Sequence, residues 1–244
     1  MHAGAIPVSA TEGYALWADT WDSTPSPIVA LEQRALSPWI ERLHPRRAVD
    51  VGCGTGRWTG RFSAIGIDAS PAMLALAARK PGLQGRLAVA DATALPIAAN
   101  SADLVLCTLT LGHIRDRAAA LHELSRILEP AGALVLTDFH PATAARGWRR
   151  TFRRDGQVYE LENYPHTLDQ LREAAPLLTL RECAEAAIGE PERALFDQSG
   201  RPELFEVSCG MPAILLTLWT KSPVAQALLP AASRLVSTLG AASK

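Results

Sequence analysis

Residues 50–58 read DVGCGTGRW and follow a short apolar run that begins at Ala48, so three glycines at alternate positions stand where a buried strand ends. Glycine reaches positive φ at low cost and lets another molecule approach the main chain, which marks a ligand-cradling turn. A plain tight turn is the simpler alternative for a lone glycine triplet. The dinucleotide fingerprint GxGxxG would need glycine at 57, where this chain has Arg57, and Asp50 lies two places before the first glycine. That argues against NAD or FAD. No Lys-Ser or Lys-Thr pair follows the glycines, so a P-loop is excluded as well. The loop is read as wrapping a ligand that lacks a pyrophosphate.

The chain has 244 residues, a net charge of −1 and 48% hydrophobic residues, enough core for one large α/β domain. Near-neutral charge supplies no global field toward nucleic acid or an anionic membrane, and neither is expected as a partner. Cys53, Cys107, Cys183 and Cys209 lack metal-ligand spacing, so no metal site is expected, and a reduced, cytoplasmic compartment fits best. The first thirteen residues lack the basic and apolar regions of a signal peptide. The tail 221–244 is apolar but interrupted by Gln226, Pro230 and Arg234, which makes it a packed or interface helix rather than a membrane span.

Outward from the glycine loop, AIGID (64–68) is a second strand. SPAMLALAARKPG follows, with Ser70 as helix cap, Pro71 in the first turn, and Pro81-Gly82 as the stop. LAVAD (87–91) and ADLVLCT (102–108) are strands. A helix from Asp116 to Leu128 places Leu121, Leu124, Ile127 and Leu128 on one face, and ALVLTD (133–138) is a further strand. Apolar strands alternating with helices imply a parallel sheet covered on both faces. Thr167 and Gln170 form a capping box, LLTLRECAEA and PAILLTLWTK read as two late strands, and the polar stretch 189–210 between them reads as a long hairpin loop. The expected organisation is a single domain: a helical cap (1–45), a ligand-binding core (46–140), a substrate-side segment with the last strands (141–220), and the tail (221–244).

Asp50, Asp68, Asp91 and Asp138 lie in or at the ends of four successive strands and converge on the rim where parallel sheets bind ligands. A carboxylate such as Asp68 suits a ribose diol, although Ser70 and Pro71 after it make a helix-terminal charge an equal alternative. DVGCGTG, GIDASPAML, VADATALPI, SADLVLCTLTLGHI and RILEPAGALVLTDF, in that order, resemble the motif series of class I S-adenosylmethionine-dependent methyltransferases, particularly the group similar to ubiquinone and menaquinone biosynthesis enzymes. The resemblance is close over 47–139 and looser to about 220. It implies a Rossmann-like, mostly parallel seven-stranded sheet with an antiparallel last strand, helices on both faces and an N-terminal helical cap.

The resemblance implies that Gly52, Gly54 and Gly56 meet the methionine part of S-adenosylmethionine and that Asp50 meets its amino group. It implies that Asp68 holds the ribose, with Ala69 and Met73 beside the adenine. Asp91 and the Ala92 N–H would read the adenine, and Thr108 would flank the methionyl end. Only eleven residues separate Gly56 from Asp68, fewer than in such enzymes. The intervening helix is expected to be about one and a half turns, leaving the pocket open or covered by the N-terminal segment.

In-line transfer to oxygen, nitrogen, sulfur or carbon of a small molecule is the implied reaction, with S-adenosylhomocysteine as product. A cofactor-binding protein without catalysis is the alternative. His113, His140 and His166 are candidate bases, each also readable as a hydrogen-bonded loop histidine. GWRRTFRR (147–154) reads as a solvated helix face or as a grip on an anionic substrate, with Arg149 the candidate. GYALWADTWDSTPSPIVALEQR (13–34) resembles the cap of these enzymes. It makes Tyr14, Trp17 and Trp21 lid candidates, core packing being the alternative. Monomer and homodimer are both open.

Overall fold

A computed structural model describes residues 4–222, so the reading of the tail as an interface helix falls almost wholly outside the described residues. The chain begins with β1 (Ile6–Val8), α1 (Ala10–Trp21) and α2 (Pro27–Arg42). It continues through β2 (Ala48–Val51), β3 (Ile65–Asp68), α3 (Pro71–Ala77), β4 (Leu87–Val89), β5 (Ala102–Thr108), α4 (Arg117–Ile127) and β6 (Leu128–Phe139). After α5 (Pro141–Ala145) come β7 (Thr151–Arg154), β8 (Gln157–Leu161), α6 (Leu168–Ala174), β9 (Leu178–Ala187), α7 (Arg193–Gln198), α8 (Pro202–Ser208) and β10 (Pro212–Lys221).

Seven strands form one sheet in the order β4-β3-β2-β5-β6-β10-β9. β2 is parallel to β3 and β5, β5 is parallel to β6, and β10 runs antiparallel to both β6 and β9. This is the Rossmann-like sheet with an antiparallel last strand that the motif series implies. Chain order reverses between β2 and β5, so their carboxyl ends frame the crevice where ligands bind in open parallel sheets.

Strand alternation explains both covered faces. Leu104 and Leu106 of β5, Val135 of β6 and Ile214 and Leu216 of β10 pack with Leu31, Leu36 and Ile40 of α2. Val105 and Cys107, Leu134 and Leu136, and Leu215 point the other way, toward Leu121 and Leu124 of α4 and Leu171 of α6. Caps fall where the side chains call for them. Ser70 accepts from the Met73 N–H, Asp116 from Ala119, and Thr167 with Gln170 closes a full capping box.

Three expectations need correction. The connection from Gly56 to β3 holds no α-helix, only a 3-10 turn at Thr59–Arg61, because so few residues must both cross over and return. The polar stretch 189–210 is not a loop, since α7 and α8 occupy it and bury Phe196 and Phe205. The arginine-rich run is not a helix face. Thr151–Arg154 is a strand that turns through Asp155 (φ 50°) and Gly156 (φ 77°) into β8. β8 also pairs with β1, giving a three-stranded sheet that lies beneath the aromatic face of α1.

Candidate active site

The glycine loop leaves β2 with positive φ at Gly52, Gly54 and Gly56, and their neighbours differ. Gly54 donates its N–H to Asp68 Oδ2 at 2.7 Å, which ties the loop to the end of β3. Gly56 packs against Leu83 and Ala77 and does not line the cavity. Thr110 Oγ1 bonds the Thr108 and Gly52 carbonyls, joining the end of β5 to the same loop. Between them Leu109 is left-handed at φ 52°, a strained backbone at the point where chain order reverses.

A cavity of about 890 Å³ opens here, within the range of small-molecule sites. Asp50, Gly52, Gly54, Asp68, Ala69, Met73, Asp91, Ala92 and Thr108 line its sheet side. Asp50 is buried and accepts from Thr59 Oγ1 at 2.7 Å through Oδ2, while Oδ1 is buried without a partner. Burial lifts its carboxyl to about 6, against the Thr59 bond and the charge of Arg57. Asp68 accepts from the Ser70 N–H at 2.8 Å as well as from Gly54, so it caps a turn and faces the cavity at once. Burial also raises its pKa, opposed by those two backbone bonds. Asp91 spends Oδ1 on the Thr93 N–H and hydroxyl, each at 2.8 Å.

The opposite wall is built by the N-terminal segment. Tyr14, Trp17 and Trp21 of α1 line the cavity, and Trp17 also stacks on Phe152 of β7 with ring centroids 4.7 Å apart. The lid and packing roles therefore coincide in one residue. Asp22, just past α1, accepts from Thr55 Oγ1 at 2.6 Å and from Lys80 Nζ at 2.7 Å, fastening the lid to the glycine loop. α2 is fastened by Glu32, fully buried, which meets Arg57 Nη1 at 2.5 Å and Thr137 Oγ1 at 3.0 Å. The arginine that breaks the dinucleotide fingerprint thus binds the loop to the helix covering the shortened crossover.

Of the three histidines, the structure brings His113 alone to the cavity wall. His140 caps α5 by accepting from the Ala142 N–H and reaches Glu185 at 3.3 Å, which is the hydrogen-bonded loop role. His166 is buried near Asp138 and held below its usual pKa by desolvation, and it does not line the cavity. Desolvation, with Arg150 next in weight, holds His113 at about 4. Arg149 points away as well, bonding the Ala144 and Trp148 carbonyls, while Arg150 lines the cavity. Thr110 and Arg150 are wall residues that sequence reasoning passed over. The Asp155-Gly156 pair, a hairpin signal, would have set the strand alternation that separates Arg150 from Arg149.

A glycine loop at a reversed strand order, with one acid in β2, another ending β3 and a third after β4, places a ligand crevice on a Rossmann-like sheet. The orphaned Asp50 oxygen on the cavity wall suits the ammonium of an amino-acid-bearing nucleoside. Residues 49–136 match the family model described as a methyltransferase domain, in line with the resemblance to class I S-adenosylmethionine-dependent methyltransferases.

The chain is 38% identical over 130 residues to a malonyl-[acyl-carrier protein] O-methyltransferase of Halorhodospira halophila, covering 48% of this chain and 44% of that one. It is 37% identical over 120 residues to a demethylmenaquinone methyltransferase of Thermus thermophilus, covering 45% and 54%. The chain thus spans about half the length of the curated relatives it matches. An S-adenosylmethionine-dependent methyltransferase structure from Mesorhizobium loti shares the fold at a TM-score of 0.56 and 23% identity, over 78% of this chain and all of that one. The domain class implies S-adenosylmethionine as cofactor. No helix among the described residues is long and apolar enough to cross a membrane.

Proposed function

We propose that the whole chain is a methyltransferase acting on a small molecule, with Asp50, Gly52, Gly54, Asp68, Ala69, Met73, Asp91, Ala92 and Thr108 holding the cofactor. The observation that carries the reading is the buried, unpartnered Asp50 Oδ1, set beside a glycine loop whose Gly54 is already bonded to Asp68. S-adenosylmethionine supplies an electrophilic methyl group on a sulfonium. The chain then has to hold a nucleophile in line and keep water out, and alignment alone contributes as much as about 7 to 11 kcal/mol in well-oriented systems.

Tyr14, Trp17 and Trp21 exclude water from the wall facing the sheet. Of the three histidines His113 alone lines the wall, and at neutral pH it is unprotonated, with Nε2 able to take a proton from a hydroxyl or amine that displaces the Tyr14 hydroxyl. The names of the relatives give different acceptors, and the wall around His113 and Arg150 bears on the acceptor of this chain. A reducing compartment fits its cysteines, since Cys53, Cys107, Cys183 and Cys209 are all free.

Calorimetric titration with S-adenosylmethionine, S-adenosylhomocysteine and NAD tests the cofactor assignment. Micromolar binding of the first two and none of NAD is expected. A protein that binds NAD instead, or none of the three, overturns it. Methyl-labelled cofactor with a small-molecule panel then tests turnover.

A further inference from the structure

Four cationic side chains line the cavity, Arg57, Lys80, Arg115 and Arg150, and three of them are engaged. Arg57 pairs with Glu32, Lys80 with Asp22, and Arg115 donates to the Tyr164 hydroxyl at 3.2 Å. Arg150 differs. Its Nε and Nη1 are buried and meet no acceptor among the described residues, although Arg149 and Arg154 close by both find carboxylates. A guanidinium withdrawn from water without a counter-charge is costly unless something else stabilises it. Here the rings of Phe139, Trp21 and Tyr14 surround it at 5.3, 5.5 and 5.6 Å, a cation–π setting that offsets part of the cost. Asp138, whose charge is felt at Tyr14 and His113, gives its oxygens to the Gly112 and Phe139 N–H groups and forms no ion pair with Arg150 among the described residues.

The charges of the cavity are segregated. Asp50, Asp68 and Asp91 stand along the carboxyl ends of β2 to β4, where a cationic nucleoside would lie. Arg150 enters from the start of β7, beside the lid and His113. A ligand occupying both ends would be positive at one and negative at the other.

We propose that Arg150 is the anchor for an anionic oxygen group, carboxylate or phosphate, on the methyl-accepting substrate. This rests on the cofactor reading above. Guanidinium forks match planar or tetrahedral oxyanions through parallel N–H donors. The aromatic rings around the fork accept an apolar body next to that group, so the substrate class is an organic acid or phosphate ester with an apolar portion. After desolvation, Arg150 is the largest influence holding His113 unprotonated, opposed by the Glu162 carbonyl and the charge of Asp138, so an anion seated on Arg150 releases part of its influence.

The test uses the full chain saturated with S-adenosylhomocysteine and titrated with benzoate, phenyl phosphate and inorganic phosphate, with benzamide as the neutral control. Binding is read from tryptophan fluorescence and from the pH titration of the His113 ring by NMR. Benzoate or a phosphate is expected to bind and raise the His113 midpoint, benzamide to do neither, and the better anion to name the oxyanion class. Arg150→Met is expected to weaken anion binding by roughly tenfold or more and Arg150→Lys by less, both keeping wild-type affinity for S-adenosylhomocysteine.

Equal anion affinity in wild type and Arg150→Met overturns the proposal, as does a wild-type His113 midpoint unmoved by every anion. A large loss of S-adenosylhomocysteine affinity in a folded Arg150→Met variant also overturns it, because the anion is then the carboxylate of the cofactor. Absence of S-adenosylhomocysteine binding in wild type is a failure of the cofactor reading instead, and the anion titration of the ligand-free chain still reads Arg150.

Discussion

The Tyr14 hydroxyl stands 3.1 Å from Nε2 of His113, so a helix near the start of the chain closes on the loop after β5. The Glu162 carbonyl, 2.8 Å from Nδ1, can only accept a hydrogen bond. In the neutral ring Nδ1 therefore carries the proton, and Nε2 accepts from Tyr14. Any substrate hydroxyl using Nε2 as a base has to displace that phenol.

His113→Gln is accordingly expected to lower kcat for a hydroxylic acceptor by about 10²-fold while leaving S-adenosylhomocysteine affinity unchanged. Equal kcat in the variant would remove His113 from proton transfer. The pH dependence has a definite sign. With a folded value of about 4 against roughly 6.5 in the unfolded chain, the unfolded state takes up the proton first as pH falls. This residue makes stability decline from about pH 6.5 down to about 4, and urea denaturation across that window should show a smaller decline in His113→Gln.

Cofactor affinity should titrate with Asp50. Its carboxyl sits at about 6, so below that pH it is protonated and offers no charge to an ammonium group. S-adenosylhomocysteine affinity is expected to fall as pH drops through 6, and calorimetry on Asp50→Asn should show a weaker and flatter profile. For stability the sign is opposite to that of His113. The folded state holds this proton more tightly than the unfolded one, so the contribution of Asp50 to stability is lost as pH rises from about 4 through 6.

Asp68→Asn is a cleaner probe than Asp68→Ala. The carboxylate accepts from the N–H groups of Gly54 and Ser70, and alanine strands both donors at a cost of roughly 1–3 kcal/mol in stability. Asparagine keeps one acceptor oxygen and is expected to lose most cofactor affinity with a smaller change in the denaturation midpoint. Wild-type affinity in a folded Asp68→Asn would show that the ribose is held elsewhere.

Arg57→Met should destabilise the fold by roughly 3–5 kcal/mol, because Glu32 is fully buried and would lose its counter-charge. The double variant Arg57→Met/Glu32→Leu is expected to recover much of that loss. Chemical denaturation of the four proteins in this cycle gives the coupling directly, and a coupling near zero would mean the pair holds nothing together.

The central sheet was legible because β2 to β5 and the 133–138 part of β6 are short apolar runs closed by a turn or capping residue, whereas β6 itself begins earlier, at Leu128, where the helix was expected to end. β5 falls at 102–108 as the alternation predicts, and Asp116 starts α4 where an N-cap is expected. The acids at the strand ends were readable for the same reason, since parallel topology puts all carboxyl ends on one rim. α7 and α8 were missed because helices of six and seven residues are too short to display a 3.6-residue period. Arg149 and Arg150 are adjacent in sequence, and only the strand start at Thr151 decides which one faces inward. The bond between Asp22 and Thr55 spans 33 residues, and nothing local to either marks it.

The two N-terminal helices are attached by different physics. α2 buries Leu31, Leu36 and Ile40 in the core, so its amides are expected to exchange with solvent mainly through global unfolding. α1 is held by aromatic stacks and a few polar bonds over a cavity, and its amides are expected to exchange through a much cheaper local opening. Ligand binding beneath α1 should slow that exchange while leaving α2 unaffected. Hydrogen exchange is thus expected to change character across residues 22–26, between α1 and α2.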